Sequence, residues 1–372
     1  MKCLPIVAAF FSFVIGMPGA LANAVPPIDA VKKEMVTLSV VIDGDDYDLE
    51  AQILTPPGEG PRPLAIVTHG SPRRASSRSK MTTHQYFHRA MEFARRGYVT
   101  AIVMRRGYGR SEGRWYEEYG ECDFPYYDKA AFTTASDIIA AIAELKKRPG
   151  IDANRILVVG QSAGGIGAVA VAAKNPPGVV AAINFAGGRG SRSHGEVCSE
   201  GELVDAFETF GETARMPTLW VYAENDGFFN PRLARRFYEA FTEAGGKADL
   251  IQTGPFGRDG HGLFSYNGIS RWRPMVDDFL RKIGLPTWET PPDLPRAPII
   301  EPPEGLSAKG QDHWRRYLNR ADNKAFAKSR TGSWFGWRSR RNTIDDAKEG
   351  ALGNCKADDC EIISINGSPP MW

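Results

Sequence analysis

Gly160-Gln161-Ser162-Ala163-Gly164 is the segment best suited to covalent chemistry. An apolar run at 156–159 precedes it and an alanine-rich helical stretch follows. In such a strand–turn–helix setting a serine is held in a strained conformation, its hydroxyl exposed beside a helix N-terminus. A serine hydroxyl is a poor nucleophile at neutral pH and needs an adjacent base, which in turn needs a third group to fix its tautomer. The chain order that goes with this setting is serine, acid, histidine. Asp226, in Ala223-Glu224-Asn225-Asp226-Gly227 behind an apolar run at 218–222, is the expected acid, with Glu224 as its rival. The histidines beyond it are His261 and His313. His261, in Asp259-Gly260-His261-Gly262 between the last strand-like run and the final long helix, is the expected base; His313 lies past a proline-rich stretch.

A tetrahedral intermediate carries an oxyanion, which calls for preorganised N–H donors. Ala163 N–H follows the nucleophile, and His69-Gly70-Ser71-Pro72, after an apolar run at 64–68, offers Ser71 N–H as the second donor. Pro72 has no N–H and stiffens the loop. The aromatic-rich stretch after Arg106-Gly107-Tyr108-Gly109 suggests a pocket, with His69, Tyr108, Trp115 and Tyr116 as candidate lining and Tyr119, Tyr126 and Tyr127 nearby; the same rings would also serve as core. Arg73, Arg74, Arg78 and Lys80 would favour an anionic substrate or form a solvated face. His84 and His88 share a helix face at i, i+4, but no third ligand is near in sequence and no Cys-x-x-Cys occurs, so neither metal nor other cofactor is expected.

The elements that must position these groups follow from apolar patterning. Two strands at 35–42 and 48–54 are joined by Asp43-Gly44-Asp45-Asp46. Buried-type strand runs at 64–68, 100–104, 156–159, 179–185, 218–222 and 250–253 then alternate with helical stretches at 83–96, 128–147, 163–173, 231–244 and 271–282. This alternation predicts an α/β domain over 25–285, a mostly parallel sheet with helices on both faces. Residues 286–304 are a proline-rich linker or surface wrap, and 305–372 form a small C-terminal appendage with helices at 312–319 and 344–352 and strands at 325–329 and 361–365. The insertions around 112–127 and 187–211 are expected to shape the pocket.

Residues 1–24 carry Lys2, an apolar run from 4 to 17 and Ala20-Leu21-Ala22, the pattern of a secretory signal peptide too short to span a membrane. The protein is therefore expected to be exported, to periplasm or medium, with no stable membrane insertion once the signal is removed. Of five cysteines, Cys3 would leave with the signal; the other four suggest disulfides Cys122–Cys198 and Cys355–Cys360. A formal net charge of +2 over 372 residues gives no reason to expect a nucleic-acid partner. Oligomeric state is not legible.

Residues 35–285 resemble the dienelactone-hydrolase-like branch of the α/β-hydrolases. The likeness rests on His69-Gly70, Arg106-Gly107-Tyr108-Gly109-Arg110-Ser111, Lys147-Arg148-Pro149-Gly150-Ile151-Asp152 and Gly160-Gln161-Ser162-Ala163-Gly164-Gly165. Dienelactone hydrolases proper use a cysteine where this chain has Ser162, so the resemblance implies a carboxylesterase acting on a small-molecule ester. It extends to serine peptidases of the prolyl-oligopeptidase type, which generally carry a large N-terminal propeller; the residues between the signal and the first strand are too few for one. The segment after Gly305 is similar to small cysteine-containing modules of exported bacterial proteins. Peptide or amide cleavage, and a non-catalytic envelope-binding role on the same scaffold, are the alternatives.

Overall fold

The computed structural model describes residues 30–293 and 300–368. The signal expected at 1–24 lies outside the described residues, as do 294–299 of the proline-rich stretch. The first strands are β1 (Lys32–Ile42), β2 (Asp45–Thr55) and β3 (Arg62–Thr68), followed by α1 (Phe87–Arg95), β4 (Val99–Val103), α2 (Tyr127–Leu145) and β5 (Ile151–Gln161). Next come α3 (Ala163–Lys174), β6 (Val179–Phe185), the short pair β7 (Ser191–Ser193) and β8 (Glu196–Val197), and α4 (Glu200–Thr213). The domain closes with β9 (Pro217–Ala223), α5 (Pro231–Glu243), β10 (Lys247–Thr253) and α6 (Ile269–Lys282).

Eight strands form one sheet in the order β1-β2-β4-β3-β5-β6-β9-β10. The β1–β2 hairpin is antiparallel, and Asp43 and Gly44 turn it with positive φ of 56° and 93°, the backbone a tight right-twisted hairpin demands. β2 pairs antiparallel with β4, and every later pairing is parallel. Alternate residues of β5 enter opposite cores: Val158 packs with α2–α5, whereas Leu157 and Val159 pack with α1 and α6. Burial on both faces explains the unbroken apolar runs of the parallel strands.

The sheet register brings the candidate loops to one edge. Thr68 pairs with Gly160, Gln161 with Phe185, and Ala223 with Thr253, so the loops after β3, β5, β9 and β10 all leave the C-terminal ends of adjacent strands.

Two features differ from the sequence expectation, and a third bears on an alternative it left open. The helix expected at 83–96 opens as a tight turn at Thr83–Gln85 and becomes α-helical only from Phe87. The insertion at 187–211 is not all loop, because Leu203, Ala206, Phe207 and Phe210 give α4 a buried stripe against the sheet. The start of the proline-rich stretch lies on the domain surface as a wrap: Trp288 Nε1 donates to Arg95 O at 3.3 Å, and the Arg96 guanidinium lies 3.9 Å over the Trp288 ring.

The C-terminal part comprises α7 (Ala308–Leu318), β11 (Ala325–Ser329), β12 (Phe335–Arg338), α8 (Ile344–Cys355) and β13 (Cys360–Ile365), with sheet order β12-β11-β13. Thr343 and Asp346 cap α8 reciprocally. Trp314, Tyr317 and Phe326 form its own small core, and Ala321 joins the core of the larger domain. Disulfides join Cys122 to Cys198 and Cys355 to Cys360. Among the described residues no helix is long and apolar enough to cross a membrane.

Candidate active site

Ser162 occupies the sharp turn between β5 and α3 with φ 55° and ψ −122°, a conformation costing a non-glycine residue about 1–3 kcal/mol. Its neighbours show why the turn is built of glycines. A Cβ on Gly160 would lie 1.9 Å from Gly164 O, one on Gly164 2.5 Å from His69 O, and one on Gly165 2.5 Å from Asn184 Oδ1. Backbone therefore packs directly on backbone, and Ser162 N–H is fixed by a 3.0 Å bond to Phe185 O. Ser162 thus stands at the N-terminus of α3, where the helix dipole favours negative charge.

Asp226 and His261 meet across the ends of β9 and β10. His261 Nδ1 lies 3.1 Å from each carboxylate oxygen of Asp226, whose side chain is fully buried while that of His261 is 13% exposed. Asp226 Oδ1 also accepts from Phe228 N (2.7 Å) and Phe229 N (3.0 Å), so the acid is held by its own loop. Glu224, the rival acid, points into solvent. His313 is in the C-terminal module, where its Nδ1 accepts from Trp337 Nε1.

The histidine loop is tied on three sides. Asp259 Oδ1 accepts from His261 N and from Gly227 N, both at 2.9 Å, locking the His261 loop to the Asp226 loop. Gln161 Nε2, next to the serine, donates to His261 O at 3.0 Å. The imidazole stacks on Phe228 with centroids 3.8 Å apart, and the Arg73 guanidinium lies 3.7 Å from the same ring centre. Two groups that close to one ring must occupy its opposite faces.

A buried ionic network underlies the loop after β3. Glu117 pairs with Arg105, and its Oε2 accepts from Arg189 Nη2 at 2.6 Å, all three side chains being almost fully buried. Burial opposes ionisation of Glu117, but the guanidiniums of Arg105 and Arg189 hold its carboxyl well below the usual carboxylate range. Arg105 Nη1 donates to Thr68 Oγ1 and to His69 O, both at 2.7 Å, and Arg105 N donates to His69 Nε2 at 3.1 Å. His69 Nδ1 therefore carries the proton and donates to Gly70 O at 2.8 Å. Burial, then the Arg105 charge, push the His69 pKa down to about 3, so the ring is neutral. Tyr108 Oη lies 2.8 Å from both Glu117 Oε2 and Ser71 Oγ, and accepts from Trp115 Nε1 at 2.8 Å. Gly70 itself presses on Ser162: a Cβ there would stand 3.0 Å from Ser162 Cβ.

A cavity of about 280 Å³ opens over Ser162, bordered by Ser71, Ala163, Trp115, Tyr119 and Phe228. Arg73, Arg78, Arg189 and Arg192 also face it, and no acidic residue does. Arg78 is pinned 3.4 Å over the Trp115 ring, and Arg73 Nη2 donates to Ser191 Oγ and Ser193 O.

Several comparisons bear on this geometry. Residues 43–226 match the model of the X-Pro dipeptidyl-peptidase (S15) family. Among solved structures, a Pyrococcus furiosus esterase superposes with a TM-score of 0.50 at 16% identity, over 75% of this chain and 96% of that one. The chain is an α/β-hydrolase by fold. A Klebsiella pneumoniae protein described as a dienelactone hydrolase is similar over 68% of this chain and 99% of its own, at 18% identity and a TM-score of 0.46. Dipeptidyl peptidase 4 of Porphyromonas gingivalis is similar over 68% of this chain and 36% of its own, at 19% identity and a TM-score of 0.49. No curated protein matches the sequence.

Within this α/β-hydrolase the expected pocket lining needs correction. Trp115 borders the cavity, but His69, Tyr108 and Tyr116 do not. His69 and Tyr108 are fully buried struts beneath the loop after β3, and Tyr116 turns away to Tyr47, their hydroxyls 3.2 Å apart. His84 Nε2 faces Asn323 Nδ2 at 3.4 Å, and no cluster of three or more metal-ligating side chains occurs among the described residues. Sequence reasoning missed Gln161, Asp259, Glu117, Arg105 and Arg189. Only Gln161 and Asp259 carried a signal, by adjoining the expected nucleophile and base.

Proposed function

We propose that the protein is an exported serine hydrolase of carboxylic esters. The observation that carries the reading is the Asp226–His261 pair, whose loop is bonded to Gln161, the residue preceding a strained Ser162 that opens into a cavity. Ser162 Oγ attacks the ester carbonyl while His261 Nε2 takes its proton. Asp226 fixes Nδ1–H and stabilises the imidazolium. The oxyanion is met by the N–H groups of Ala163 and Ser71, the latter held through the Tyr108–Glu117 network. His261 then protonates the leaving alcohol, and water, deprotonated by the same histidine, releases the acid from the acyl-enzyme. Acyl transfer of this kind draws on protein groups alone.

Three arginines around the cavity, Arg73, Arg78 and Arg192, have no carboxylate partner among the described residues and favour esters whose acyl or alcohol part is negatively charged. Two arginines are stacked on aromatic rings and so are preorganised. Export is supported by the N-terminal pattern and by two disulfides.

Fluorophosphonate labelling with mass-spectrometric mapping tests the reading. Modification at Ser162, lost in Ser162→Ala and His261→Ala, is expected; an unlabelled, well-folded wild type overturns it and points to binding without catalysis. The match to the X-Pro dipeptidyl-peptidase family favours a second reading, cleavage of short peptides. Faster hydrolysis of aminoacyl anilides than of p-nitrophenyl esters would select it.

A further inference from the structure

A second cavity, of about 280 Å³, lies where the C-terminal module meets the larger domain. Gln85, from the turn before α1, forms one wall; Arg320, Trp337, Ser339, Arg340 and Arg341 form the rest. The junction is specific: Thr82 Oγ1 donates to Arg340 O at 2.8 Å, and Asn323 Nδ2 donates to the carbonyls of Arg341 (2.9 Å) and Asn342 (2.8 Å). Arg340 itself has φ 58°, an unusual conformation for a non-glycine residue that this bonding maintains.

The wall of the cavity carries three arginines and no carboxylate, while the Asp322 carboxylate acts on Lys324 and His84. Among the described residues no ion pair involves Arg89, Arg320, Lys324, Arg340 or Arg341. Lys324 is buried and spends its ammonium on the carbonyls of Leu318 and Arg320. Arg89 lies 4.2 Å over the Tyr86 ring, and its Nε and Nη1 are buried without hydrogen-bond partners, as are Arg340 Nε and His88 Nε2. Burial, then the neighbouring Arg320 and Arg89 charges, lower the Arg340 pKa to about 10. Half-buried like charges with unused donors are costly unless a counter-charge joins them.

We propose that this junction cavity binds a phosphate-class oxyanion, as inorganic phosphate or a phosphate monoester, which fastens the C-terminal module to the hydrolase domain. The planar donor forks of several guanidiniums match the oxygen geometry of phosphate. The volume is several times that of the ~30 Å³ a water molecule occupies in the liquid, which leaves room for a small substituent. Gln85 and Ser339 add neutral hydrogen-bonding groups to the wall.

Thermal unfolding of the full protein, at fixed ionic strength with chloride as reference, tests the proposal. Inorganic phosphate and glycerol 3-phosphate are titrated against wild type, Arg320→Gln and Arg340→Gln. A saturable rise in Tm of roughly 2–5 °C is expected for wild type and not for either variant. In phosphate-free buffer Arg320→Gln should be no less stable than wild type, because it relieves repulsion. A lower half-saturation for glycerol 3-phosphate identifies a monoester as the ligand, and the reverse order identifies the free anion. No saturable rise in wild type, or an equal rise in both variants, overturns the site.

Discussion

The imidazole of His261 lies face to face on Phe228, 3.8 Å between centroids and 14° from parallel, while Phe228 N–H donates to Asp226 Oδ1 at 2.7 Å. One residue thus fixes Asp226, the proposed acid, through its backbone and His261, the proposed base, through its ring. Phe228→Leu keeps the N–H and loses the flat support. Ester turnover and the fluorophosphonate labelling rate are expected to fall about 10- to 100-fold at nearly unchanged Tm, since small misplacements of a catalytic group cost that much. Wild-type labelling in this variant would mean that the stack does not orient the base.

Asp226 and Asp259 touch the same loop in different ways, and their variants should separate chemistry from scaffolding. Asp226→Asn retains an oxygen for the two backbone donors but loses control of the tautomer, so kcat should drop by about 10⁴-fold with little loss of stability. Asp259→Ala strands the N–H groups of Gly227 and His261 and should cost about 1–3 kcal/mol in urea unfolding, with a smaller loss of kcat. Equal kinetic defects in the two variants would contradict the division of roles.

Glu117 is shared by Arg105 and Arg189. Glu117→Gln leaves two buried cations without their carboxylate and should destabilise the protein by about 3–5 kcal/mol. Arg105 also holds Thr68 and His69, so activity should decline beyond what unfolding accounts for. A loss under 1 kcal/mol in equilibrium unfolding would show that water replaces the carboxylate readily.

Burial lowers two histidines from the ordinary 6.5, His69 to about 3 and His88 to about 4. Both are neutral in the folded protein and protonate near pH 6.5 when it unfolds. Their stabilisation is therefore present above 6.5 and lost as pH falls toward 4, by up to about 1.4 kcal/mol per pH unit each. Asp137 acts oppositely: burial raises it to about 6, so its contribution fades as pH rises from 4 to 6. His88→Asn should flatten the stability slope between pH 4 and 6 by about one proton, measured by chemical unfolding in phosphate-free buffer. An unchanged slope would place His88 in water.

Arg78, stacked on Trp115, carries a charge that no carboxylate in the cavity wall offsets. Arg78→Gln should reduce kcat/KM for a hemisuccinate ester about tenfold more than for its neutral counterpart. Parallel losses would assign the arginine to packing rather than selection.

Much of this arrangement was legible because some residue types permit few alternatives. Strands buried on both faces read as continuous apolar runs, and Gly160, Gly164 and Gly165 sit where any Cβ would strike backbone or a buried amide. α4 was hidden because Gly187, Gly188 and Gly190 precede it and Gly201 interrupts its first turn, obscuring the Leu203–Phe210 stripe. The Glu117 network was illegible for another reason: its partners lie 12 and 72 residues away, and charges at such separations read as solvated surface. His69 and Tyr108 read as pocket for lack of any local sign that a buried arginine would claim the first and a buried carboxylate the second.

The Cys122–Cys198 bond and the Glu117–Arg189 pair join the same two cavity walls, one covalently and one ionically. Arg105 couples that joined unit to the loop bearing Ser71. Loop-by-loop engineering of substrate range is therefore a poor strategy for this scaffold. A graft of residues 111–127 without 187–199 would leave an orphan thiol at the cavity mouth and an unmatched ion below it, so the two walls form a single exchangeable cassette whose recipient must also carry the arginine beneath.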